Sequence, residues 1–215
     1  MAGRSIRLRV YAALAACALV GAPPAFACKG KTVLFSDSFR EVDDKWGAEN
    51  DAVQFDDGRI KMKASANAAY KVKYSGKTFA DADICATLRS PNELTSANEP
   101  YAGVMFWVQG YSDFYVWQIS AVGTASLWRQ VKGKWVNVLD WRNIEGLKKG
   151  AAQHNTLRVV TRGQDVELYI NDAKIAVIKA QAPPGGGEIG FFAASERAKR
   201  DAWKFSDLIV TALDK

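Results

Sequence analysis

A period-two pattern, interrupted every few residues by turn signals, constrains this chain more than any other feature. Successive side chains on a strand point to opposite faces, so alternating segments bounded by Gly, Asn, Asp or Pro are read as strands with one face inward. The pattern predicts strands over 32–36, 59–64, 69–75, 81–90, 101–109, 113–120, 124–131, 134–141, 155–162, 165–171, 174–180, 187–194 and 201–213. Between them stand Asp57-Gly58, Val122-Gly123, Lys132-Gly133, Gly163-Gln164 and Asn171-Asp172. Gly and Asn at such places accept the positive φ that tight hairpins require. Pro183-Pro184 followed by Gly185-Gly186-Gly187 makes a longer break. The best helical candidate, 143–152, is interrupted by Gly146 and Gly150. Short strands at hairpin spacing imply an all-β fold of two antiparallel sheets packed face to face. Phe35-Ser36-Asp37 recurs as Phe205-Ser206-Asp207, which predicts that the first and last strands are neighbours in one sheet.

Of the 215 residues, 48% are hydrophobic, which supplies a sizeable core and excludes long intrinsic disorder. The start of the chain is different. Arg4, Arg7 and Arg9 precede a short apolar run over 10–21, then Pro23-Pro24 and the cleavage pattern Ala25-Phe26-Ala27. This predicts a signal peptide over 1–27, one sandwich domain over 28–215, and a periplasmic or secreted protein. The apolar run is shorter than the ~20 residues of a membrane span. Without the three leader arginines, 26 basic residues face 23 acidic ones, a net +3 that does not point to nucleic acid. The run Arg197, Lys199, Arg200 reads as a solvated loop. Two fates are open for Cys28, the first residue after the cleavage point. It forms a disulfide with Cys85, as export favours, or it is lipidated through its sulfur. Each fate excludes the other.

The run Y-A-G-V-M-F-W-V-Q-G-Y-S-D-F-Y-V-W-Q-I-S over 101–120 continues as T-A-S-L-W-R-Q-V-K-G-K-W-V-N-V-L-D-W over 124–141. N-T-L-R-V-V-T-R-G-Q-D-V-E-L-Y-I-N-D over 155–172 and G-E-I-G-F-F-A over 187–193 follow. This order resembles the concanavalin A-like lectin/glucanase superfamily, in the branch of 3-keto-disaccharide hydrolase-like domains. The resemblance implies a jelly-roll sandwich whose concave face binds glycans. It also brings in a structural calcium ion, for which Asp37 and Asp207 are candidate carboxylates. No other cofactor or metal is expected.

All seven tryptophans follow the leader, and five fall between 107 and 141. On strict alternation Tyr115, Trp117 and Ile119 share one face of their strand, and Phe114, Val116, Gln118 and Ser120 the other. Thr124, Ser126, Trp128 and Gln130 form a mixed polar face opposite Ala125, Leu127 and Val131, with Arg129 on the apolar side. A flat ring among amides and hydroxyls suits a sugar, whose C–H groups stack while its hydroxyls hydrogen-bond. Trp128 is the first stacking candidate, with Trp107, Trp135, Gln118 and Gln130 beside it. Glycoside hydrolysis takes two facing carboxylates. The glucanase string Glu-x-Asp-x-x-Glu that the resemblance would bring is absent, and Glu41-Val42-Asp43-Asp44 departs from it at Lys45-Trp46. Asp113, Asp140 and Glu188 read as turn or solvated acids, and His154, the lone histidine, as a strand-start residue. The expectation is therefore an exported sandwich that binds carbohydrate without catalysis of its own. The resemblance implies a rival, a hydrolase of 3-keto-glycosides. A surface interaction protein with no glycan ligand is the third reading.

Overall fold

The computed structural model describes residues 28–65, 67–94, 100–195 and 201–214. The expected leader over 1–27 and the basic run at Arg197, Lys199 and Arg200 lie outside the described residues. Within them no helix is long and apolar enough to cross a membrane.

The strands are β1 (Val33–Asp37), β2 (Val53–Phe55), β3 (Ile60–Ala64), β4 (Ala68–Phe79), β5 (Ala82–Arg89), β6 (Tyr101–Gly110), β7 (Asp113–Ser120), β8 (Thr124–Val131), β9 (Lys134–Asn143), β10 (His154–Arg162), β11 (Asp165–Ile170), β12 (Ala173–Lys179), β13 (Gly187–Ser195) and β14 (Asp201–Thr211). One sheet runs β12-β11-β10-β5-β14-β3-β2, with β1 also on β14; the other runs β4-β13-β6-β7-β8-β9. All pairings are antiparallel, and the two sheets form a jelly-roll sandwich. β1 lies along β14, with Ser36 opposite Ile209, so the first and last strands are neighbours. β3 takes the other half of β14, from Phe205 to Asp201.

Two features were not legible in the alternation. β2 has only three residues, too few to show a period. A 3-10 turn at Asp44–Trp46, capped by the Asp43 carboxylate, drives Trp46 into the core, where it stacks on Phe191 at 5.5 Å. The segment 143–152 forms no helix. Gly146 and Gly150 take positive φ, while Ile144 and Leu147 turn inward and join the core. The short hairpins behave as their residues require. Lys132-Gly133 and Asn171-Asp172 both have positive φ at the two central positions.

The core lies between the sheets. Phe106, Trp117 and Phe191 come from one sheet and Ile60, Leu88, Trp203 and Phe205 from the other, all fully buried. The outer face of the larger sheet is fastened by different means. Cys28 is disulfide-bonded to Cys85, with Cα atoms 5.6 Å apart and 57 positions between them in sequence. The sulfur on which the lipidated alternative depends is bonded here. Beside it Arg158 donates to both oxygens of the buried Asp83, at 2.7 and 2.9 Å. The backbone N–H of Lys29 also donates to Asp83, at 2.9 Å. The start of the described chain is thus held against β5 by a covalent bond and a charge-assisted network.

Closing a loop of this length removes on the order of 4 kcal/mol of chain entropy from the unfolded state. Cys85→Ser is expected to lower the unfolding free energy by about 2–4 kcal/mol in urea titration, with the fold retained. An unchanged midpoint would show that the bridge contributes nothing.

Candidate functional site

Alternation fixes which side chains of the smaller sheet face outward. Tyr115, Trp117 and Ile119 of β7 point into the core, so Phe114, Val116 and Gln118 point away from it. That outer face is also apolar. Met105, Val108, Phe114, Val116, Phe192 and Ala194 form a second cluster, with Tyr101 and Trp128 packed against it. These six side chains are buried, so the outer face carries a small core of its own.

Its centre is hollow for a local reason. Across the strands, Phe192 stands opposite Gly103, Gly103 opposite Gln118, and Gln118 opposite Ser126. Two of those four residues are small, and the large side chains stand around them. The result is a cavity of about 260 Å³ lined by Tyr101, Gln118, Trp128, Trp135, Trp141 and Phe192. Gly103 is needed at this spot. A Cβ there would come within 2.3 Å of the Trp117 carbonyl oxygen and 2.7 Å of the Gln118 Cβ.

The rings meet mostly edge to face. Trp135 contacts Trp128 at 6.4 Å, Phe192 at 5.8 Å and Phe114 at 5.6 Å, and Trp141 contacts Tyr101 at 5.5 Å. Trp135 and Trp141 belong to the edge strand β9 and are 43% and 39% exposed. Two register shifts between β8 and β9 arrange this. They let Leu139 pack on the core while Trp141 lines the outer cavity. On strict alternation those two residues would share a face. Gln118 is buried, and its Nε2 donates to Ser126 Oγ at 3.0 Å.

Three residues expected at a sugar site thus come together: Trp128, Trp135 and Gln118. Gln130 is on the same face but outside the cavity. Its Oε1 accepts from Lys71 Nζ at 3.1 Å, and its Nε2 donates to the Gly133 carbonyl at 3.2 Å. Burial holds the Lys71 ammonium below its ordinary pKa. Trp107 requires a correction. It is buried in the core, and its Nε1 donates to the Ala80 carbonyl at 3.0 Å. The cause is an irregularity in β6. The register with β7 shifts after Phe106, and Trp107 takes φ +49°, so Phe106 and Trp107 both turn inward. Tyr101 and Phe192 were missed, and no local pattern marks them. Trp141 was legible only as one more aromatic in a rich segment.

The other candidates have structural work. Asp113 accepts from the Lys132 N–H, Asp140 from Asn137, and Asp43 from the Lys45 N–H. Glu188 pairs with Lys73 at 2.6 Å, and His154 is exposed at the start of β10. Both oxygens of Asp37 accept hydrogen bonds, from the Phe39 N–H and from Trp46 Nε1. Asp207 accepts from Ser206. Asp37 and Asp207, the expected calcium carboxylates, line one cavity together with Ser36 and Ser38.

No family model and no curated protein matches the sequence. Solved structures do match the fold. A carbohydrate-binding module, CBM66 from Bacillus subtilis, aligns with TM-score 0.57 at 10% identity, covering 71% of this chain and 86% of its own. The catalytic domain of an endo-1,3-beta-glucanase (laminarinase) from Thermotoga petrophila aligns at 0.58 and 8% identity, covering 83% and 96%. A Bacillus subtilis protein of unknown function with a galectin-like fold aligns at 0.59 and 16% identity, covering 86% and 97%. The chain has the lectin/glucanase sandwich fold, which both binding modules and hydrolases use.

The two tryptophans should separate in a stability experiment. Trp107→Ala is expected to cost about 3–5 kcal/mol in urea titration, as for a core Trp. Trp135→Ala, on a half-exposed edge but touching three rings, should cost less, about 1–2 kcal/mol. Equal losses would mean that the outer cavity is part of the core.

Proposed function

We propose that this chain is an exported carbohydrate-binding protein that seats one sugar ring in the cavity on the outer face of its smaller sheet. The observation that carries this reading is the pair of exposed rings, Trp135 and Trp141, standing at the rim of a cavity with an amide, Gln118, in its lining. Flat rings take the C–H faces of a sugar, and the amide takes its hydroxyls. The volume of about 260 Å³ is near the lower end of small-ligand sites, roughly 300–1,000 Å³, which favours one ring over an extended chain. Several structural neighbours are carbohydrate-binding proteins. Export is supported by the basic-apolar-small pattern over 1–27 and by the Cys28–Cys85 disulfide, a bond typical of oxidising compartments.

The 3-keto-glycoside hydrolase reading rests on the resemblance carried by the strand motifs over 101–120, 124–141, 155–172 and 187–193. Two-carboxylate hydrolysis would need acids at the ring, and the six described side chains lining the cavity include none.

Titration calorimetry against a panel of soluble oligosaccharides is expected to find binding. Trp135→Ala should weaken it at least several-fold, since one stacked ring contributes on the order of 1 kcal/mol. Binding unaffected by Trp135→Ala would move the site elsewhere. Hydrolysis of a 3-keto-glycoside by the purified protein would favour the hydrolase. A protein partner that competes for Trp135 with no sugar bound would favour the interaction reading.

A further inference from the structure

Two polar atoms of the cavity residues have no partner. Among the described residues, four buried side-chain nitrogen or oxygen atoms lack a hydrogen bond: Gln118 Oε1, Trp128 Nε1, Trp203 Nε1 and Thr211 Oγ1. The last two belong to β14 in the other sheet. Gln118 and Trp128, which carry the first two, line one and the same cavity. Gln118 is 4% exposed, and its Nε2 donates to Ser126 Oγ at 3.0 Å. Its free atom is therefore an acceptor. The free atom of Trp128 is an N–H, a donor only. A buried polar group without a partner is costly, so a pair of them in one cavity asks for a ligand that satisfies both.

The pair defines the chemistry. A donor and an acceptor in one lining can both be satisfied by a secondary amide, whose C=O accepts and whose N–H donates from opposite edges of the group. Trp128 and Gln118 are diagonal neighbours across β7 and β8, because Gln118 pairs with Ser126 and Val116 with Trp128. Diagonal neighbours on one sheet face are within reach of each other's aromatic and long side chains, so one planar amide can meet both groups. The rest of the wall is apolar: Phe192, Trp135 and Trp141 beside them. A full set of sugar hydroxyls would find few partners among these rings, whereas a methyl group packs well on them.

We propose that the site selects a 2-acetamido sugar, an N-acetylhexosamine. The acetamido carbonyl accepts from Trp128 Nε1, its N–H donates to Gln118 Oε1, and its methyl rests on the aromatic wall. This rests on the carbohydrate-binding reading above. Neither polar atom is open to solvent as the side chains stand. The proposal therefore requires the exposed rings of the edge strand, Trp135 and Trp141, to shift when the amide binds.

The test compares ligands that differ only in the acetamido group. By calorimetry the purified protein is expected to bind the β-1,4-linked N-acetylglucosamine trimer at least tenfold more tightly than cellotriose or the de-N-acetylated trimer. A tenfold ratio is what losing a hydrogen bond to otherwise unpaired groups produces. Gln118→Leu should cut the acetylated trimer's advantage over cellotriose, read as the ratio of the two affinities, at least several-fold. The wild-type ligand comparison stands even if that variant fails to fold. If cellotriose or another unacetylated sugar binds as well as the acetylated trimer, the acetamido proposal falls while the carbohydrate reading survives. If no saccharide binds, both fall. If N-acetyl-lysine amide binds as tightly as the trimer, the site recognises an amide without a sugar, and the proposal is overturned.

Discussion

Sealing the inner faces of the two sheets against each other is the requirement on which the rest of this molecule depends. An isolated sheet leaves one apolar face in water, and the sandwich removes both from it at once. Trp117 shows how tightly the layers are joined. It is fully buried on the smaller sheet, yet its Nε1 donates to the Tyr169 carbonyl of the larger one at 3.1 Å. Trp46, Phe39, Phe191 and Phe205 continue the contact as a chain of rings. With the inward positions committed to this core, the outward positions are free to differ between the sheets. The larger sheet uses its outer face for fastening, through the disulfide and the Asp83–Arg158 pair. The smaller sheet leaves its outer face as an aromatic hollow.

The hollow comes from departures from regularity. Gly103 and Ser126 leave the middle of a cross-strand row empty, and the two register shifts in β9 keep Leu139 inside while Trp141 stays outside. The edge position of β9 leaves Trp135 and Trp141 partly exposed.

Much of this was legible in the residues, because strand alternation is a local property. Phe114, Val116 and Gln118 of β7 were grouped on one face, and Trp128 with the polar face of β8, by counting alone. Where the count failed, a bulge had intervened. Trp107 should have pointed outward with Met105, but the left-handed backbone at that residue turned it into the core. Bulges depend on strand registers that no single segment carries, so such an inversion cannot be read along one strand. Tyr101 and Phe192 were missed for a related reason. They reach the cavity from strands that are distant in sequence, and only the order β13-β6-β7-β8-β9 brings them to one place. The function of the cavity was less legible than its position, because a Trp-rich segment serves a core as readily as a ligand.

The account stands on the claim that the outer cavity, and no other tryptophan-bearing region, receives the sugar. The indole N–H resonances of the seven tryptophans report on this one by one in a nitrogen-15 NMR titration with the N-acetylglucosamine trimer and with cellotriose. The resonances of Trp128, Trp135 and Trp141 are predicted to shift with a common saturation curve for whichever trimer binds, while those of Trp46, Trp107, Trp117 and Trp203 remain in place. Shifts confined to the core tryptophans, or saturation by sugar with Trp128, Trp135 and Trp141 unmoved, would contradict it.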